Sequence, residues 1–166
     1  MKDMKKVWAL CLALLLIVSS LASCQKQEET DGGESAFRVI YNDVEIELGK
    51  SADPILKKLG EANSENEIFD CGEGNSRIRY RYDSLTLYVM KSGDTAVVDE
   101  IELLDDLAET GRGICIGDGE DKVRAEYGDP TSDKNGTLIY SKNNMQIQFD
   151  IADGKVSGIG FLRRTQ

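Results

Sequence analysis

Three groups of residues in this 166-residue chain combine type and spacing in ways that could do chemistry. Cys24 follows Leu21, Ala22 and Ser23 directly behind an uncharged apolar run, Val7 to Val18. Its thiolate is the strongest side-chain nucleophile near neutral pH, so the residue is a disulfide half, a core side chain or a point of covalent attachment. Arg77, Arg79 and Arg81 alternate with Ile78, Tyr80 and Tyr82, which puts three guanidinium groups on one side of a single strand. They can pair across a sheet with carboxylates such as Glu100 and Glu102, or grip a partner's carboxylates bidentately. Asp118-Gly119-Glu120-Asp121 has the composition of a calcium loop, but the turn glycine and the distal glutamate are not at the required spacing. It reads instead as a helix start, where acidic residues are favoured.

Much chemistry is excluded by what is missing. The chain has no histidine, which removes Ser-His-Asp and Cys-His catalysis, histidine metal sites and the commonest general base. It has no Gly-x-x-x-x-Gly-Lys segment for phosphates and no Cys-x-x-Cys for zinc or redox work. Paired carboxylates could serve glycoside hydrolysis, but the single tryptophan, Trp8, lies ahead of Cys24 and leaves no indole for sugar stacking in the exported part. A non-enzymatic protein with no cofactor and no metal is expected, with a carboxylate-dependent cell-wall hydrolase as the alternative.

Lys2, Lys5 and Lys6, the run Val7 to Val18 and the small residues Ser19, Ser20, Ala22 and Ser23 make a three-part export signal. The run is well short of the roughly 20 apolar residues that span a bilayer. Leu-Ala-Ser-Cys has the order of a lipobox and resembles that of bacterial lipoprotein precursors. The resemblance implies a diacylglyceryl group on the Cys24 sulfur and cleavage between Ser23 and Cys24, making residues 1–23 a lipoprotein signal peptide. At about 0.8 kcal/mol per buried methylene, two acyl chains hold a protein on the extracytoplasmic face of the bacterial membrane where one would not. Loss of Lys2, Lys5, Lys6 and Asp3 takes the net charge from −10 to −12, so a nucleic-acid partner is not expected. Residues 24–36 are polar and Gly-containing, and read as a flexible tether.

The remainder must position any site, and it carries an internal duplication. IELGKSADPILKKLGEA (Ile46 to Ala62) aligns with ICIGDGEDKVRAEYGDP (Ile114 to Pro130), matching Gly49 with Gly117, Asp53 with Asp121 and Gly60 with Gly128. LTLYV (Leu85 to Val89) then matches MQIQF (Met145 to Phe149), and VDEIEL (Val98 to Leu103) matches VSGIGF (Val156 to Phe161). In each copy a strand leads through a glycine into a short helix ended by Gly60 or Gly128. Strand-like segments follow: RIRYRY, LTLYVM and VVDEIELL in the first, TLIY, MQIQFD and KVSGIGFL in the second, with Asp153-Gly154 as a hairpin turn. The expected fold is α+β: two tandem repeats, 37–106 and 107–166, each a short strand and helix followed by an antiparallel meander, forming a sheet with helices on one face.

Leu85, Leu87 and Val89, with Met145, Ile147 and Phe149, mark the face that receives the helices. The other face carries Thr86, Tyr88, Gln146 and Gln148 together with the arginines, so Arg79, Arg81, Tyr88, Gln146 and Gln148 are the candidate partner-binding residues.

The tandem pattern over residues 37–163 resembles uncharacterised lipoproteins of anaerobic Gram-positive bacteria. It is carried by Cys71, Gly74, Tyr80 and Tyr82, and by Asp105 and Asp106 ahead of Thr110, Gly111, Arg112, Gly113 and Ile114, where Arg112 replaces a glutamate. More remotely, the layout is similar to the β-lactamase inhibitory protein and the small outer-membrane-assembly lipoproteins. That similarity implies binding of a partner by a sheet face rather than catalysis. The expectation is a membrane-anchored extracytoplasmic lipoprotein acting as a non-catalytic protein- or ligand-binding module. Cys71 and Cys115 are expected to be free thiols, since the resemblance supplies a counterpart for Cys71 alone.

Overall fold

Regular alternation of apolar and polar residues makes strands, and this chain has that alternation in most of its length beyond residue 37. The computed structural model describes residues 37–69 and 75–164. The signal segment, Cys24, the tether, Cys71 and Gly74 lie outside the described residues.

The described residues form eleven strands and two helices. The strands are β1 (Arg38–Tyr41), β2 (Val44–Glu47), β3 (Ser64–Phe69), β4 (Asn75–Arg81), β5 (Leu85–Ser92), β6 (Thr95–Leu103), β7 (Glu109–Thr110), β8 (Ser132–Lys134), β9 (Thr137–Lys142), β10 (Met145–Ala152) and β11 (Lys155–Arg163). The helices are α1 (Asp53–Leu59) and α2 (Glu120–Tyr127). An eight-stranded antiparallel sheet has the order β3-β4-β5-β6-β11-β10-β9-β8, and a three-stranded sheet the order β2-β1-β7. The larger order is palindromic: a run of four neighbouring strands is met by a second run in reverse, joined where Ile101 of β6 pairs with Phe161 of β11.

The expected α+β arrangement, with helices covering one sheet face, is corrected by this architecture. The protein is predominantly β. Each helix has only two turns and buries one side chain, Ile55 in α1 and Val123 in α2. The core is a single cluster made chiefly by strand residues of both sheets: Val39, Tyr41, Val44 and Ile46 from the smaller, and Leu87, Val89, Ile101, Ile147, Phe149 and Phe161 among those of the larger. Helices this short cannot cover an eight-stranded sheet, and the apolar residues that do the covering sit at strand period in β1 and β2.

Two further differences have local causes. Ile114 to Ile116, expected to open the second copy as a strand, is irregular; Ile114 is buried, and the strand that joins β1 is β7. Edge strands β3 and β8 were not anticipated, because SENEIF and SDK are polar and show no alternation. The expected helix ends and hairpin are present. Gly60 and Gly128 have φ of 77° and 76° and donate their N–H to Leu56 and Arg124, and Asp153 and Gly154 turn β10 into β11 with φ of 52° and 72°.

Candidate binding face of the eight-stranded sheet

Because side chains alternate across a sheet, the pairing register decides which residues share its outward face. One row runs Arg79, Tyr88, Glu100, Leu162, Gln146, Ser141 across β4, β5, β6, β11, β10 and β9. The next runs Arg81, Thr86, Glu102, Gly160, Gln148, Ile139. All five candidate residues therefore lie on one face in adjacent rows. They do not form one patch: four inter-strand steps of about 4.8 Å separate Arg79 from Gln146 by roughly 19 Å. A middle that sequence reasoning left out divides them.

The three arginines of β4 have different fates. Arg77 meets Asp99 at 3.3 Å, bonds Glu100 and lies over the Tyr88 ring, 4.5 Å from its centroid. Arg79 and Arg81 are exposed and have no ion-pair partner among the described residues. Cross-strand pairing with Glu100 was open to all three from sequence; the β-bulge beside Val89 turns Asp99 as well as Glu100 toward Arg77 and leaves the other two free. Tyr88 donates its hydroxyl to Glu102 at 3.3 Å, and burial, with the charges of Glu102 and Glu100, pushes its pKa up, so it stays a donor at neutral pH. Gln148 donates to Asp150 at 3.0 Å, and Thr137 donates to the same carboxylate at 2.9 Å. Gln146 is only 6% exposed and its Oε1 has no partner.

Between the flanks lies an open trough of about 290 Å³ lined by Glu100, Glu102, Gln148, Asp150 and Leu162, with Gly158 and Gly160 along its strand. Gly158 leaves room for the facing acid: a Cβ there would stand 3.2 Å from Asp150 Oδ2. The signal in the sequence was glycine at alternate positions of Val156 to Phe161, which strips side chains from one face of one strand.

Away from this face, Asp118 accepts the Cys115 N–H at 2.9 Å and the Lys122 ammonium at 2.8 Å at the approach to α2, in keeping with a helix start rather than a calcium loop. Cys115 is free. Among the described residues no group of three His, Cys, Asp or Glu side chains is placed to hold a metal ion, and no helix is long and apolar enough to cross a membrane.

No family model matches the chain, and no curated protein matches it. A cysteine-rich secretory protein from Staphylococcus aureus is similar in structure over 70% of this chain, at 13% identity and a TM-score of 0.33. The chain spans 44% of that structure's length.

Proposed function

We propose that the protein is a lipid-anchored extracytoplasmic binding module that docks a protein or cell-envelope partner on the outward face of its eight-stranded sheet, without catalysis. The observation that carries this reading is the pair Arg79 and Arg81, exposed and without an ion-pair partner among the described residues, beside an Arg77 that is paired with Asp99 and Glu100. On a chain of net charge −10, free guanidinium groups side by side are suited to a partner's carboxylates, each of which they can take bidentately. Tyr88, in the same row as Arg79, is a half-buried aromatic residue of the kind that anchors interfaces, fixed in place by Arg77 over its ring and by its bond to Glu102. The lipobox at Leu21 to Cys24 supplies the membrane attachment, and the polar residues 25–36 the reach.

Photo-crosslinking from position 79 on intact cells, followed by mass spectrometry, tests the reading. A defined partner captured by the parent protein and lost in Arg79→Glu/Arg81→Glu is expected; capture unchanged by that double variant would overturn it. The alternative, a carboxylate-dependent cell-wall hydrolase, draws support from Glu100, Glu102 and Asp150 around the trough. It requires wall-degrading activity that falls at least about a hundredfold in Glu100→Gln or Glu102→Gln.

A further inference from the structure

Arg163 ends β11 on the side of the strand that carries Ile159 and Phe161, both buried in the core. Arginine is seldom placed toward a core unless something pairs with it. Here nothing does: among the described residues it has no ion-pair partner, and its Nε is closed off from solvent with no acceptor. The side chain passes over Gly49, where a Cβ would stand 3.5 Å from its Cδ and 3.8 Å from Nη1. It lines a cavity of about 300 Å³ with Phe37, Leu48 and Met145 as apolar wall. Glu47, Lys50 and Asn144 also line it; Glu47 and Lys50 lie 3.6 Å from each other, so the carboxylate of the lining is already engaged and Arg163 is the cation left over.

The fold does not demand an arginine at this seam, because the same backbone bonding occurs a second time without one over its glycine. Gly49 donates to Val98 and Val98 to Lys50, as Gly117 donates to Val156 and Val156 to Asp118. Arg164 donates to Asn144, as Leu104 donates to Ser84. At the second seam Asp118 stands where the first has Lys50, and nothing lies within 4 Å of a Cβ on Gly117, where the first has Arg163 over Gly49. The same backbone bonding is thus made in one place with an arginine over the glycine, unpaired among the described residues, and in the other with no side chain there.

We propose that this cavity binds a small apolar carboxylate, held bidentately by the Arg163 guanidinium with its hydrocarbon against Phe37, Leu48 and Met145. At about 30 Å³ per water-sized group, the space takes roughly ten non-hydrogen atoms. That chemistry is shared by a free aryl- or alkyl-carboxylic acid and by the C-terminal carboxylate of a peptide ending in an apolar residue. The site is separate from the binding face of the sheet, and its failure would leave that reading untouched.

Isothermal titration of the full lipidated chain in detergent, against a detergent blank, uses four probes: 3-phenylpropionate, 3-phenylpropionamide, and Gly-Gly-Phe with a free or an amidated C-terminus. At least one of the two carboxylates should bind saturably and about tenfold or more tighter than its own amide. Binding of the acid alone identifies a free acid, and binding of the tripeptide a peptide terminus. Arg163→Met should abolish the preference for carboxylate over amide. If that variant fails to fold, the acid-to-amide ratio on the unaltered protein still decides. No saturable binding of either carboxylate, equal binding of acid and amide, or an unchanged preference in a folded Arg163→Met protein overturns the proposal.

Discussion

The guanidinium of Arg77 sits 4.5 Å above the Tyr88 ring while reaching Asp99 and Glu100, so one side chain ties β4 to β5 and β6 on the outward face of the sheet. This makes Arg77 structural and leaves Arg79 and Arg81 for other work.

Replacing Arg77 with Ala should cost about 2 kcal/mol, the loss of a half-buried charge-assisted bond and a cation–π contact. Arg79→Ala and Arg81→Ala should each stay within about 0.5 kcal/mol of the parent. Urea unfolding of the three variants checks this, and equal costs would contradict the division of roles.

A tyrosine donates to the glycine that ends each helix: Tyr140 of β9 to Gly128 at 3.1 Å, and Tyr82, just past β4, to Gly60 at 3.4 Å. Tyr140→Phe keeps the ring contacts with Tyr127 and Phe149 and removes only the hydroxyl. It should cost about 1 kcal/mol, and Tyr82→Phe less because its bond is longer. Thermal denaturation of both variants gives the order.

Burial pushes the Asp118 carboxyl up, but the bonds from Lys122 and from Cys115 outweigh it, and the pKa falls below the usual carboxylate value. A carboxyl whose folded pKa is depressed stabilises the fold above its unfolded pKa and loses that contribution as pH falls through the folded value. As pH falls through and below the usual carboxylate range, the parent should therefore lose stability more steeply than Asp118→Asn, read as the urea midpoint against pH. The same substitution should bring down the Cys115 pKa, which burial, then the Asp118 charge and bond, hold up, and so speed iodoacetamide labelling at neutral pH.

Cys24→Ala should yield an uncleaved precursor or a protein without acyl chains. Mass spectrometry of the N-terminus and phase partitioning check it, and normal processing of the variant would exclude lipid attachment at this residue.

Six of the eight strands of the large sheet were legible in the sequence because their apolar residues recur at period two, and the helix ends because Gly60 and Gly128 take a positive φ that favours glycine. The two edge strands were not, since an edge faces solvent and keeps no apolar alternation. The fold class was misjudged for a related reason: two glycine-bounded helical segments stand out in a sequence, yet helices of two turns bury a single side chain each.

Sequence alone determined which side of each strand is polar, and so that Arg79, Arg81, Tyr88, Gln146 and Gln148 all face away from the core. Their distance from one another was decided only by strand order, in which β6 and β11 meet at the centre and hold Arg79 and Gln146 four strands apart. The choice of Arg77 over Arg79 and Arg81 as partner of Asp99 and Glu100 depended on a bulge, and the position of Arg163 in the lining of a cavity on the junction of β11 with Gly49. Alternation is a property of neighbours along the chain and survives in the sequence; register, bulges and cavities arise between segments far apart in it, and exist only once the strands have paired.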